Sequence, residues 1–259
     1  MKSVVSLASV ALIASASAAF AADAGPTVTP GPLDAPPAFP QVYTAPGPAA
    51  GPVKAPLAYG KTSIYDWTGF YLGINGGGGF GSADWSAAPG SGRANMSGGL
   101  FGGTVGYNLQ TGEPWVLGVE LDLDWSDFRA TTPATATCPP GCELKGPWLD
   151  TNRLRFGWAF DGIVPGGILP YVTGGVALGL FNADIVGAPF GTREQANLGW
   201  TAGAGVEFVI TGAWRAKVEY LYVDLDNVNC GSACPLGPVS FHPIANVIRA
   251  GLNYRLWMN

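Results

Sequence analysis

Between residues 115 and 128 the chain alternates. One register reads Trp115, Leu117, Val119, Leu121, Leu123, Trp125; the other reads Val116, Gly118, Glu120, Asp122, Asp124. Successive side chains of a strand point to opposite faces, so this segment predicts a strand with one apolar and one acidic face. A helix would distribute both sets around its axis. Trp115 and Trp125 bracket the apolar face. At roughly 3.3 Å per residue they stand about 33 Å apart along the strand. A tilt of about 40° leaves about 25 Å of height, which matches the apolar band of a transmembrane β-barrel with aromatic residues at each edge. A soluble sandwich or lipocalin-like barrel would also contain long strands, but with the apolar face turned inward.

Seven further segments carry the same period. Residues 67–80 place Phe70, Leu72 and Ile74 on one face and Tyr71, Gly73 and Asn75 on the other. Residues 98–109 turn Phe101, Val105, Tyr107 and Leu109 outward, and 149–160 turn Leu154, Phe156, Trp158 and Phe160 outward with Arg153 and Arg155 inward. Residues 169–181 expose Val172, Val176, Leu178 and Leu180; 197–210 expose Leu198, Trp200, Val206 and Phe208 with Glu207 inward. Residues 214–224 expose Trp214, Val218, Tyr220 and Tyr222 over inward Arg215, Lys217 and Glu219. Residues 247–256 expose Ile248, Leu252, Tyr254 and Leu256 over inward Arg249, Asn253 and Arg255. Each is long enough to span a bilayer as a tilted strand of about 9–11 residues. The pattern therefore predicts an all-β, eight-stranded, antiparallel up-and-down transmembrane barrel, with Trp115, Trp125, Trp158, Trp214 and Tyr254 in its aromatic girdles.

The connections alternate in length. Residues 110–113, 161–167 and 211–213 are short, whereas 81–97, 129–148, 182–196 and 225–246 are long. Outer-membrane barrels have short periplasmic turns and longer outer loops. Eight strands return both chain ends to the periplasmic side.

Composition narrows the class. Of 259 residues 47% are hydrophobic and only 12% are charged, half the ~25% usual for soluble domains. No apolar run long enough for a spanning helix follows the N-terminus. A net charge of −5 argues against a nucleic-acid partner, for want of a basic surface to neutralise phosphates. Residues 1–21 read as a secretory signal peptide: Lys2 is its charged start, an apolar run follows, and Ala19-Phe20-Ala21 supplies the cleavage pattern before Ala22. Residues 22–65 are rich in Pro, Ala and Gly with few large apolar groups. They predict an extended or disordered periplasmic linker, and residues 66–259 hold the barrel.

Four stretches add a resemblance. Trp67-Thr68-Gly69-Phe70-Tyr71-Leu72-Gly73 is similar to the first strand of opacity-type, OmpA-like eight-stranded outer-membrane barrels of alphaproteobacteria. Gly199-Trp200-Thr201-Ala202-Gly203-Ala204-Gly205-Val206-Glu207 resembles their sixth strand, Trp214-Arg215-Ala216-Lys217-Val218-Glu219-Tyr220 their seventh, and Arg249-Ala250-Gly251-Leu252-Asn253-Tyr254-Arg255 their last. The resemblance spans about residues 66–256. It implies a barrel with a plugged interior and no single chemistry. Such chains usually end on a strand-terminal aromatic, often Phe; here Leu256 holds that outward position and Trp257-Met258-Asn259 follows it.

Candidate chemistry begins with the inward charges: Glu120, Asp122, Asp124, Arg153, Arg155, Glu207, Lys217, Glu219, Arg249 and Arg255. An eight-stranded interior is just wide enough for side chains to fill, and buried charges must be paired. The set predicts a salt-bridged plug; rearranged, it would offer an ion path. Cys138, Cys142, Cys230 and Cys234 fall in two outer loops of an exported chain, which predicts disulfides. Local bridges across three residues come first, with cross-loop pairing open and zinc less favoured. His242, expected in the last outer loop, with Ser240 nearby, raises the alternative of a lipid-modifying enzyme at the rim, with His242 as general base and Ser240 as nucleophile, although a lone loop histidine is ordinarily solvated. Gly76–Gly79 is not a phosphate loop, because no Lys-Ser/Thr pair follows it. No catalytic residue, metal or cofactor is expected. The reading is a non-enzymatic, monomeric outer-membrane protein. Its expected partners are membrane lipid, the barrel-assembly machinery and an unidentified extracellular ligand at the loops.

Overall fold

The alternating segments pair into one closed sheet. In the computed structural model the described residues are 65–87, 90–111, 114–134, 141–161, 166–185, 195–229 and 239–256; the expected signal peptide and Pro-rich linker lie outside them, apart from Tyr65. The strands are β1 (Gly69–Ala87), β2 (Gly90–Gln110), β3 (Trp115–Thr131), β4 (Cys142–Trp158), β5 (Ile168–Ile185), β6 (Gln195–Thr211), β7 (Trp214–Leu225), β8 (Val228–Asn229) and β9 (Val239–Arg255). Eight are long and pair antiparallel with their sequence neighbours, β7 with β9, and β9 closes the ring against β1. The two-residue β8 adds a short pairing to the outer end of β9. Closure leaves no unpaired edge, the condition for a sheet to cross a bilayer.

Within the band the faces are as the alternation predicts. Phe70, Leu72, Ile74, Leu117, Val119, Leu123, Leu154, Val172 and Ile248 are exposed, while Tyr71, Asn75, Glu120, Asp122, Arg153 and Arg249 are buried. One girdle is built from cross-strand pairs: Trp115 opposite Trp158, ring centroids 4.2 Å apart, and Trp214 opposite Tyr254 at 5.0 Å. Trp125 stands at the other edge, opposite Trp148 on β4.

The long connections depart from expectation. The strands run on into segments 81–97, 129–148, 182–196 and 225–246: β1 runs to Ala87 and β2 restarts at Gly90, β3 and β4 extend to Thr131 and from Cys142, β5 and β6 to Ile185 and from Gln195, and β9 begins at Val239; residues 88–89, 135–140, 186–194 and 230–238 lie outside the described residues. The physical reason is an inversion of the pattern at the membrane edge. Below it the apolar residues face out and the charges face in. Beyond it Trp85, Met96, Phe128, Leu144 and Phe241 point inward and are buried, while Asp84, Arg93, Arg129, Lys145 and His242 occupy the outward register. The strands outgrow the bilayer and continue as a water-soluble barrel, apolar inside and polar outside. A search for apolar-out strands stops at the point where the phase flips.

Two local features fit this geometry. A Cβ on Gly98 would stand 2.7 Å from the backbone Cα of Phe128, so only glycine lets β2 pass that ring-bearing residue. Pro243 sits in β9 beyond Asp224↔Ile244 and before β8 takes over at Phe241, where a missing N–H donor breaks no ladder.

Candidate functional site

The lumen is filled in three layers. At the periplasmic end Trp67, Val116, Ala159, Leu169 and Val209 form a buried apolar cluster with Tyr65 packed against it. At the outer end a larger apolar core runs from Leu100 and Leu149 up to Trp85 and Phe241. Between them lies the charge network.

Its centre is Arg153 on β4. Nη2 stands 2.5 Å from Glu120 and also bonds Asp122, and Nη1 donates to Glu219 at 2.8 Å. Arg249 on β9 reaches Asp122 at 2.7 Å, Asp124 at 2.5 Å and Glu219 at 2.8 Å. Lys217 on β7 contacts Glu120 at 3.0 Å and Glu219 at 3.2 Å. Arg155 bridges Glu120 at 3.0 Å and Glu207 at 2.7 Å, with its guanidinium 3.9 Å from the Tyr171 ring centroid. Neutral donors complete the carboxylates. The Tyr71 hydroxyl donates to Glu120 at 2.8 Å, Thr104 to Asp122 at 2.6 Å, and Asn253 to Glu207 at 3.1 Å. All these side chains are buried. Five carboxylates (Glu120, Asp122, Asp124, Glu207, Glu219) face five cations (Arg153, Arg155, Arg215, Lys217, Arg249) among the buried residues, so the layer is neutral as a whole. Bidentate and shared contacts of this kind are what make a desolvated charge tolerable.

The structure places nine of the ten inward charges named from the sequence in this layer and sets Arg255 apart. Arg255 is not in the network: it is partly exposed at the periplasmic end, bonds the Asp66 carbonyl, and lies 4.9 Å from the Tyr65 ring centroid. The inward register of β9 carries past the end of the charged layer. Arg215 takes a place the reading left out of the set, 3.6 Å from Glu207 and near the rings of Trp67 and Tyr71. It shares a register with Lys217 and Glu219, so the signal was available. Tyr71, Tyr171 and Thr104 gave none, because a neutral residue on an inward register has no mark of its own.

Outside the membrane band the rim residues are also reassigned. His242 is not in a loop but on β9, opposite Asp84, with Nε2 2.9 Å from Asp224. Ser240 is likewise in β9, opposite Ser86. Asp84 is itself held by Arg93 at 2.6 Å, and the hydrogen bond from that guanidinium keeps its carboxyl below the usual carboxylate range. Cys142 is buried at the start of β4; Cys138, Cys230 and Cys234 lie outside the described residues. No group of three or more metal-ligating side chains occurs among the described residues.

A closed antiparallel barrel with an apolar outer band, aromatic girdles and a charged, filled lumen is an integral outer-membrane β-barrel protein. The chain belongs to the outer membrane protein beta-barrel domain family, whose profile matches residues 56–255. It is 33% identical over 225 residues to a 31 kDa outer-membrane immunogenic protein of Brucella melitensis biotype 1, covering 80% of this chain and 88% of that relative. It is 35% identical over 161 residues to a 22 kDa outer membrane protein of Rhizobium leguminosarum bv. viciae, covering 61% and 64%. Among solved structures, the outer membrane protein OprG of Pseudomonas aeruginosa aligns with 74% of this chain and 100% of its own at 15% identity and a TM-score of 0.45. The protein resides in the outer membrane of a Gram-negative bacterium.

Proposed function

We propose that this protein is a non-enzymatic structural and surface-interaction barrel, in which the membrane-spanning wall is an anchor and the outer end carries recognition. The observation that carries the reading is the filled lumen: a charge layer of five carboxylates and five cations, neutral as a whole, held between two apolar layers. An ion entering it would have to displace contacts already made at 2.5–3.0 Å, and a closed interior leaves the outward and upper surfaces as the sites of contact with other molecules. The extension of the strands beyond the bilayer supports the same assignment, because it carries a rigid wall with a polar outer face above the lipid headgroups.

The test is single-channel recording from the refolded, gel-shift-verified barrel in a planar bilayer. No steady conductance is expected. A steady current that changes on replacing Arg153 or Glu120 would overturn the reading and make the protein a narrow pore through the charge layer.

Cys142 belongs, on this reading, to a local bridge with Cys138 across the three residues Pro139-Pro140-Gly141, and Cys230 pairs with Cys234 in the same way. Non-reducing peptide mapping should recover each pair on one peptide; a peptide joining the two loops would replace this pairing with a cross-loop one.

A further inference from the structure

The outward register of the eight long strands is apolar or small through the membrane band, with one break. On β4, between the girdle residues Trp148 and Trp158, the outward positions read Asp150, Asn152, Leu154, Phe156. Asp150 lies opposite Leu123 on β3 and Leu178 on β5, and Asn152 opposite Leu121 and Val176. At roughly 3.3 Å per residue and about 40° of tilt, Asp150 sits about 5 Å and Asn152 about 10 Å below the Trp148 level. Both therefore face the hydrocarbon and not the headgroups. Their mutual satisfaction is thin: Asn152 Nδ2 donates to Asp150 at 3.4 Å. Asn246, another polar residue near this band, shows the contrast. It accepts from the Tyr220 hydroxyl at 2.5 Å and donates to the Phe80 carbonyl, so its own barrel completes it.

A carboxyl and an amide turned toward lipid are costly unless another molecule supplies their partners. We infer that the β3–β5 face is an intramembrane interface, and that its occupant is a second copy of this chain. The pair is self-complementary: Asn152 donates and Asp150 accepts. A two-fold axis along the membrane normal crosses the two tilted β4 strands with each residue at its own depth, so that the Asn152 amide reaches Asp150 of the second copy diagonally, across the roughly 5 Å that separate the two levels; isologous contacts of this kind are the commonest in oligomers. The surroundings suit packing. Leu154, 69% exposed, is the most exposed large apolar side chain among the described residues, and Leu123 beside Asp150 is 57% exposed. This departs from the monomer expected from the sequence, and it is independent of whether the lumen conducts.

The experiment is thiol cross-linking of the full chain in native outer membranes. Leu154→Cys places a thiol beside the proposed axis. Ile248→Cys places one on β9, four strands round the ring on the far side. A short bis-maleimide should yield a cross-linked dimer with Leu154→Cys and not with Ile248→Cys. Adding Asp150→Leu and Asn152→Leu to the Leu154→Cys chain should reduce that dimer at least tenfold. These changes make a lipid-facing strand more apolar, so the heat-modifiable gel shift of the folded barrel should persist. No dimer at Leu154→Cys, equal cross-linking at both positions, or a dimer indifferent to the two leucine substitutions would each overturn the proposal.

Discussion

Replacing Glu120 by glutamine should cost the folded barrel about 3–5 kcal/mol, the range for breaking a buried ion pair by removing one partner. Glu120 takes Arg153 at 2.5 Å and both Arg155 and Lys217 at 3.0 Å, with the Tyr71 hydroxyl at 2.8 Å. The amide keeps the shape and removes the charge. The layer is then left with one cation in excess, and no water-exposed route disperses it. The same balance predicts how the loss is recovered. Lys217→Met removes the cation that shares Glu120 Oε1 with Arg153. The double variant should therefore be more stable than the sum of the two single losses, with a coupling on the order of 1–3 kcal/mol. Equilibrium unfolding in urea, from detergent or vesicles, with the gel shift as readout, checks both. A Glu120→Gln loss under about 1 kcal/mol would mean that the network is hydrated in the working protein.

Phe128→Ala should destabilise by about 3–5 kcal/mol, as for large-to-small changes in a close-packed core. The same substitution at its neighbour Arg129 should stay within about 0.5 kcal/mol, because an exposed residue on the outward register packs against nothing. Phe128 is 4% exposed and lies in the outer apolar core with Leu100, Leu144 and Phe181. A Cβ on Gly79 would stand 2.5 Å from its ring. If the segment beyond Trp125 were a loop, the two substitutions would cost about the same. Their ratio measures whether the barrel continues above the membrane.

Most of the wall was legible from the chain, because its signal is local. A period of two is written into each strand by the alternation of Cβ directions, so the outward Leu117 and inward Glu120 follow from position alone. The short turn at Gly212 and Ala213 between β6 and β7 was also visible as a gap in the alternation; Gly212 supplies the positive φ of 53° at its first central position. The outer third was not legible. Residues 81–87 and 239–246 alternate too, but with Trp85 and Phe241 inward and Asp84 and His242 outward. The same pattern in the opposite phase reads as strand only once the surrounding solvent is known to be water rather than lipid.

The sequence by itself therefore determined the number of membrane-crossing strands, their faces and the sign of the lumenal charges, since each is a property of one strand. The tertiary structure alone decided which charges meet. Arg249 reaches Asp122 and Asp124 across 127 and 125 residues of chain, and Arg215 rather than Arg255 completes the neutral layer. Such contacts depend on the stagger with which eight strands close on themselves, a relation among all the strands that no single strand encodes.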